Sequence, residues 1–146
     1  MLSRYTMYRG PRPSWDPLPK GIRQDTRKHT RHCLRPTAKI VAKYLAGPSE
    51  AAWMRVVWEY FAVIEKRFLQ DRTPFDDLAD LAMTNDVFLG CSCPTTRNSA
   101  WERCHTFLAL RFMNKKYPQL AVVIPNRPGA PQQGASAKRK SMKSSR

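Results

Sequence analysis

Residues 86–118, DVFLGCSCPTTRNSAWERCHTFLALRFMNKKYP, carry the strongest indication of the fold. The run DVFLG at residues 86–90 is short and apolar, as is typical of a buried strand. Ser99 and Glu102 form a Ser-x-x-Glu capping box, which predicts a helix over the rest of the stretch. The apolar run LAVVI at residues 120–124 predicts a second strand. This order indicates a βαβ unit with parallel strands and a right-handed crossover.

Three more helices are predicted upstream of this unit. The first begins at Thr37 and is stopped by Gly47-Pro48. The second has Ser49 as its N-cap and repeats apolar side chains on one face as far as about Gln70. The third is short and begins at Thr73-Pro74, with a capping hydroxyl and a proline at the first helical position. Together with the βαβ unit, these helices predict an α/β fold with a short, mostly parallel sheet.

Basic residues are concentrated at the two ends of the chain. The chain has 26 Lys and Arg against 11 Asp and Glu, a net charge of +15, over 146 residues. Residues 1–36 contribute about +7, residues 125–146 about +6 and residues 37–124 only about +2. We therefore expect one domain with its α/β core in residues 37–124. A basic, Pro-rich segment, residues 1–36, precedes or packs on it, and a disordered basic tail, residues 125–146, follows.

The N-terminal segment contains one further strand candidate, RYTMY at residues 4–8. No stretch of the chain approaches the roughly eighteen apolar residues that would span a bilayer. The N-terminus also lacks the apolar run of a secretion signal. These observations predict a cytoplasmic protein without a membrane partner, whose four cysteines are thiols rather than disulfides.

The order of motifs resembles the family catalogued as domain of unknown function 488, which includes the YeaO-like proteins. The resemblance covers about residues 5–123 and rests on Arg9-Gly10 near Trp15, the helices PSEAAWMRVVWEYFAVIEKRF and FDDLADLA, and a strand that ends at Cys91 before Cys104-His105. It implies a compact α/β sandwich of three layers, flavodoxin-like or Rossmann-like. It implies no established reaction, so the chemistry has to be argued from the residues themselves.

The loop after the strand is the candidate site. In an open α/β sheet, ligands bind beyond the carboxyl ends of the strands, which is where Cys91 and Cys93 are expected. The predicted helix start at Ser99 would add free backbone N–H groups and a positive dipole end, with Arg97 just before it. A phosphate or carboxylate would find donors there. The sequence thus predicts an anion site, and binding of a ligand or nucleic acid at this loop is the leading functional hypothesis.

Zinc binding is an alternative. Cys91, Cys93, Cys104 and His105 supply three thiolates and an imidazole, a known zinc-ligand set. His29, His32 and Cys33 form a second cluster that could join them if the basic segment folds over the loop. Against this, the spacing lacks the familiar Cys-x-x-Cys motif. Adjacent side chains on a helix also point about 100° apart, which would hinder joint ligation by Cys104 and His105.

A thiol-dependent enzyme is a second alternative. Five residues separate Cys91 from Arg97, as in the Cys-x5-Arg loop of thiol phosphatases, with Cys91 as candidate nucleophile and His105 as candidate base. Pro94 has no amide hydrogen to offer a phosphate in such a loop. The simplest interpretation needs no ligand: cysteines are often buried like small hydrophobic residues, which is also consistent with a packed turn.

Nucleic-acid binding would use the basic ends. Arginine and lysine side chains bind phosphates without regard to sequence, and Trp15 or Tyr8 could stack on bases. The candidate phosphate-binding residues of the N-terminal segment are Arg23, Arg27, Lys28, Arg31 and Arg35, joined in the tail by Lys138, Arg139, Lys140 and Lys143. Net charge supports affinity rather than specificity. The sequence therefore leaves oligomeric state, substrate and nucleic-acid type open.

Overall fold

A computed structural model describes residues 1–126. The predicted disordered tail lies outside the described residues, apart from residues 125 and 126. The elements follow in the order β1 (Leu2–Thr6), β2 (Ile22–Asp25), α1 (Ala38–Ala46), α2 (Glu50–Gln70), α3 (Thr73–Thr84), β3 (Val87–Cys91) and α4 (His105–Lys116). Four helices and a small parallel sheet confirm the predicted α/β class. No helix of the described residues has the length and apolar character needed to cross a bilayer.

The sheet has the strand order β1-β3-β2, and both pairings are parallel. The central strand, β3, pairs Val87 with Leu2 on one side and with Ile22 on the other. Val87 and Leu2 are completely buried, whereas Ile22 is only partly buried on the β2 edge. The carboxyl ends of all three strands therefore lie at the same edge of the sheet, where the cysteine loop begins.

Residues 1–36, which we expected to precede or pack on the core, supply β1 and β2. Two of the three strands of the sheet therefore come from this segment. We did not predict β2, because IRQD contains a single apolar residue and pairs on one edge only. The backbone hydrogen bonds to β3, and not apolar alternation, determine this strand.

The strand expected at residues 120–124 is reduced to one parallel bridge between Val122 and Leu2. Leu2 N–H donates to Ala121 O and Val123 N–H donates to Leu2 O, so this segment lies beside β1 and not beside β3. The segment does not extend into a longer strand beside β1. Val123 and Ile124 are each about half exposed, at 48%. In the predicted βαβ unit, β3 and the segment around Val122 would be the two strands. In the structure, β1 lies between them.

Two helices begin at the residue predicted from the sequence, and in both a side chain caps the first turn. Thr37 accepts from Ile40 N–H and Ser49 from Ala52 N–H, which confirms the predicted starts of α1 and α2. The third start differs by one residue: Arg72 is the N-cap of α3 and makes no side-chain capping bond, while Thr73 is already helical. The buried face of α2 consists of Val56, Tyr60, Ile64 and Phe68.

The start predicted for the last helix is wrong by several residues. The helix α4 begins at His105 with Cys104 as its N-cap, whereas the Ser99 capping box lies in a loop. Tertiary packing overrides the local signal because Trp101 is buried, its ring centroid 4.6 Å from that of Phe107. The loop between β3 and α4 thus folds back on the helix and brings Cys104 to the carboxyl edge of the sheet.

Candidate metal and anion site

Three cysteines meet where β3 ends and α4 begins. Cys91 is the last residue of β3, Cys93 follows in the loop, and Cys104 is the N-cap of α4. Their Sγ atoms all lie within 4.8 Å of one another. Cys91 and Cys104 are buried, with 8% and 2% of their surface exposed, and Cys93 is partly buried. The three sulfurs are therefore close enough to hold one metal ion together.

Cys104 receives a hydrogen bond whose direction is fixed by a buried arginine. Arg4 is 5% exposed, and its Nε–H donates to Thr106 Oγ1 over 2.9 Å. A guanidinium can only donate, so the hydroxyl hydrogen of Thr106 is free to point at Cys104 Sγ, 3.2 Å away. The guanidinium also lies over the rings of Trp101 and Phe107. Within residues 1–126, Arg4 makes no ion pair with a carboxylate.

The three thiols differ in acidity. Burial alone would raise the pKa of Cys104, but hydrogen bonds from Cys91 and Cys93 and the nearby His105 lower the pKa well below its usual value. Hydrogen bonding to Cys104 and to Cys93, together with burial, raises the pKa of Cys91 well above its usual value. Hydrogen bonding to Cys104 likewise raises the pKa of Cys93 to about 12. Cys104 is therefore the most acidic thiol of the cluster, while Cys91 and Cys93 hold their protons more tightly than an ordinary cysteine.

The imidazole of His105 is held in one tautomer. Thr26 Oγ1 lies 3.0 Å from the carbonyl oxygen of Gly90 and 2.9 Å from His105 Nε2. A carbonyl only accepts, so the hydroxyl hydrogen goes to Gly90 O and the ring must donate Nε2–H to Thr26. In the neutral ring this leaves the lone pair on Nδ1, which lies 3.9 Å from Cys104 Sγ. A buried hydroxyl thus orients the ring as outer-shell partners orient metal-binding histidines.

The separations suit tetrahedral coordination. With zinc–sulfur bonds near 2.3 Å, two sulfur ligands of a tetrahedral ion stand about 3.8 Å apart, and sulfur and nitrogen about 3.6 Å apart. The Sγ atoms of Cys91 and Cys93 are 3.9 Å apart, and Cys104 Sγ and His105 Nδ1 are also 3.9 Å apart. Among residues 1–126, the group close enough to share an ion consists of the three cysteines, so coordination by His105 would require its ring to move toward Cys91 and Cys93.

The backbone at Cys104 removes one objection to joint ligation. Cys104 has φ −132° and ψ 143°, which is extended rather than helical. The expected divergence of about 100° between neighbouring side chains applies only within a helix. Because Cys104 is the N-cap and His105 the first helical residue, their side chains can face the same point.

Asn98 supports the cluster from the loop. It is 6% exposed, and its Nδ2 donates to Arg103 O over 2.7 Å and lies 3.5 Å from Cys93 Sγ. An amide N–H directed at sulfur stabilises negative charge there. The Oδ1 atom of Asn98 is buried without a hydrogen-bond partner among residues 1–126.

The second predicted cluster stays apart from the three cysteines. His32 Nδ1 accepts from Leu34 N–H over 3.1 Å, and His32 Nε2 lies 2.7 Å from Gln24 Oε1, so both ring nitrogens are engaged. Burial lowers the pKa of His32 to about 4 and raises the pKa of Cys33 to about 11. His29 is exposed and lies 3.8 Å from an Asp25 oxygen. None of these side chains belongs to the group that could share an ion with Cys91 among the described residues.

A cavity of about 300 Å³ opens beside the cysteines. Cys91, Cys93 and His105 line it on one side, and α1 and α2 contribute apolar side chains. Its cationic lining consists of Arg9, Arg27, Lys28, Arg97 and Arg103. No aspartate or glutamate of residues 1–126 lines it. Arg27 is already paired with Asp25 at 2.8 Å, whereas the other four make no ion pair with a described residue.

The geometry gives little support to a Cys91 nucleophile. Arg97 does share the cavity with Cys91, but the raised pKa keeps Cys91 a thiol, and a thiol is a poor nucleophile. The helix that should present its N-terminus to the phosphate starts eight positions beyond Arg97, at His105. The Cys-x5-Arg hypothesis, with His105 as base, stays a prediction.

The basic residues of the N-terminal segment do not form one phosphate-binding row. Arg23 donates to Pro19 O, Arg35 to His32 O, and Arg27 is held by Asp25. Lys28 and Arg31 are exposed. Trp15 is 57% exposed, and Tyr8 donates to Asp16 rather than standing free. Nucleic-acid binding stays a prediction.

Four polar residues of the site escaped the sequence analysis: Arg4, Thr26, Asn98 and Thr106. Charged residues in a strand ordinarily face solvent, so nothing in the run LSRYT marks Arg4 as buried. Thr26 and Thr106 are each completely buried, at 0% exposure, yet a lone threonine carries no sequence signal. Tertiary contacts bring Arg4, on β1, and Thr26, just after β2, to the cysteines.

Comparison of the chain with family models, with curated proteins and with solved structures finds no match in any of the three. The resemblance to the 488 family therefore stays a prediction.

Proposed function

We propose that the protein binds one zinc ion through Cys91, Cys93 and Cys104, with His105 Nδ1 as the fourth ligand. The observation that carries this proposal is the mutual approach of three sulfur atoms to within 4.8 Å at the junction of β3 and α4. Zinc favours tetrahedral sites made of thiolates and imidazole, and Cys₃His is a common structural set.

The charges around the sulfurs favour a divalent cation. Three thiolates and one zinc ion leave a single negative charge, which the buried guanidinium of Arg4 can balance through Thr106. A buried ionic group is tolerated when its charge is paired and its donors are satisfied. Soft thiolate ligands also favour zinc over magnesium or calcium, which prefer oxygen ligands.

Hydrogen bonds with neighbouring side chains position two of the proposed ligands, His105 and Cys93. Thr26 holds the Nε2–H of His105, which leaves Nδ1 as the coordinating atom. Asn98 Nδ2 faces the sulfur of Cys93 at 3.5 Å, as N–H donors do around metal-bound thiolates. Each ligand but Cys91 therefore has a neighbour of the described chain that fixes its position.

Cobalt substitution tests the proposal. Co²⁺ added to reduced protein should produce thiolate-to-metal charge-transfer bands in the near ultraviolet and intense visible bands of a tetrahedral ion. Cys91→Ser and Cys104→Ser should lose them. Cys33→Ser is the matched control, because Cys33 is a partly buried thiol outside the group, and it should behave like the natural chain. Weak octahedral spectra in all four proteins would refute thiolate binding of the metal.

A further inference from the structure

The cavity beside the cysteines combines two chemistries. One part is cationic: the side chains of Arg9, Lys28, Arg97 and Arg103 reach it without an ion-pair partner among the described residues. The other part is apolar and comes from α1 and α2. Its members are Ile40, Val41, Tyr44, Leu45, Trp53 and Val56. A volume of about 300 Å³ is at the lower end of the range for small-molecule sites.

We propose that this cavity binds a phosphate monoester with an apolar or aromatic body, the phosphate lying at Arg97 and Arg103 and the body against Tyr44 and Trp53. This site goes beyond the proposed zinc function and does not require the metal, because none of these four side chains belongs to the cysteine cluster.

The cations favour phosphate as the head group. Four positive side chains without an ion-pair partner in residues 1–126 surround one concave space and repel one another, and no carboxylate of these residues lines the space to relieve the repulsion. A dianionic phosphate relieves more of it than a single carboxylate does. Arginine also binds phosphate oxygens in a bidentate manner.

The apolar part explains why the ligand is an ester rather than free phosphate. Tyr44 and Trp53 lie edge to face, with ring centroids 5.8 Å apart. Tyr44 is almost fully buried, whereas Trp53 is only partly buried, so the indole offers a face to a ligand. Burial of an aromatic ring there adds binding free energy that a bare ion cannot gain.

Calorimetric titration at low salt tests the inference, with phenyl phosphate as the probe and inorganic phosphate, benzoate and benzyl alcohol as comparison ligands. Phenyl phosphate should bind saturably and more tightly than all three. Arg97→Ala with Arg103→Ala should weaken it about tenfold or more, as expected for loss of charge-assisted hydrogen bonds. Both arginines lie in the loop, and Arg97 is exposed, so the variant should keep its fold.

The matched control is Arg55→Ala with Arg111→Ala, which removes the same charge from exposed positions that do not line this cavity. It should change the affinity less than about twofold. Equal weakening by both double variants would overturn the inference in favour of general charge attraction. Binding of inorganic phosphate as tight as that of phenyl phosphate would overturn the apolar subsite. The zinc content of the same samples is measured in parallel, so absent phosphate binding with one equivalent of zinc would contradict this inference alone.

Discussion

The hydroxyl of Thr106 lies 3.2 Å from the sulfur of Cys104 and donates to it, because the guanidinium of Arg4 occupies its acceptor side at 2.9 Å. This relation links a buried cation to a buried thiolate through one hydroxyl. A hydrogen bond donated to sulfur favours the charged form of Cys104 over the neutral thiol.

Replacement of Thr106 by valine tests the relay. Valine has nearly the same shape but neither donates to Cys104 nor accepts from Arg4, so a buried N–H loses its partner. We expect the free energy of unfolding to fall by about 1–3 kcal/mol. The pKa of Cys104 should also rise, which thiolate absorbance in the ultraviolet would show. Thr106→Ser retains the hydroxyl and should stay close to the natural chain; a valine variant with unchanged thiolate titration would refute the relay.

Zinc uptake should release about two protons per ion. The raised pKa of Cys91 and Cys93 keeps them protonated at neutral pH, whereas the lowered pKa of Cys104 favours its thiolate. Each coordinating thiol must lose its proton, so Cys91 and Cys93 account for the two. Calorimetric zinc titration in two buffers of different ionisation enthalpy measures the number. Release of three protons would mean that Cys104 is a thiol in the metal-free protein.

Thr26 should matter to metal affinity although it cannot touch the ion. Its hydroxyl holds His105 Nε2–H over 2.9 Å and so leaves Nδ1 free to coordinate. Loss of an outer-shell partner typically weakens a metal site about 10- to 100-fold. We expect this loss in Thr26→Val and little change in Thr26→Ser, measured by competition with a zinc indicator. If the valine variant bound zinc as tightly as the serine variant, His105 would not be a ligand.

Acid should destabilise the fold through His32. Its pKa falls from 6.5 in the unfolded chain to about 4 in the folded chain, mainly through burial and with a contribution from His105, opposed by Asp25. A lowered pKa means that the unfolded state binds the proton first, so stability is complete above pH 6.5 and decreases as the pH falls toward 4. The loss approaches about 3 kcal/mol.

Denaturant unfolding at a series of pH values measures this effect. His32→Asn keeps an acceptor for Leu34 N–H and should flatten the decrease between pH 6.5 and 4. His29→Asn is the matched control, since His29 is 62% exposed, and it should leave the decrease in place. An unchanged slope in His32→Asn would show that other groups cause the acid sensitivity.

Local signals predicted the helices that carry their own caps. Thr37 and Ser49 cap α1 and α2, and the apolar spacing of α2 defines its buried face. The start of α4 could not be read in this way, because burial of Trp101 against Phe107 outweighs the capping box at Ser99. Short-range chemistry identifies an element, but long-range packing decides where it begins.

The sequence predicted the cysteines of the site, His105 and Arg97, but not the buried polar residues around them. The spacing of Cys91, Cys93 and Cys104 marked the loop, and their approach follows from the parallel sheet. The residues that set their charge, Arg4, Thr26 and Thr106, come from β1, from the segment after β2, and from α4. Because β2 has almost no apolar pattern, the sequence held no sign that Thr26 would reach His105.

Zinc content measured by elemental mass spectrometry tests the central claim most directly. Reduced protein is loaded with zinc, freed of excess metal and compared with Cys91→Ser, Cys104→Ser and Cys33→Ser. We expect one equivalent in the natural chain and in Cys33→Ser, and little or none in the other two. Absence of zinc from the natural chain, or equal zinc in all four proteins, would contradict a metal site at Cys91, Cys93 and Cys104.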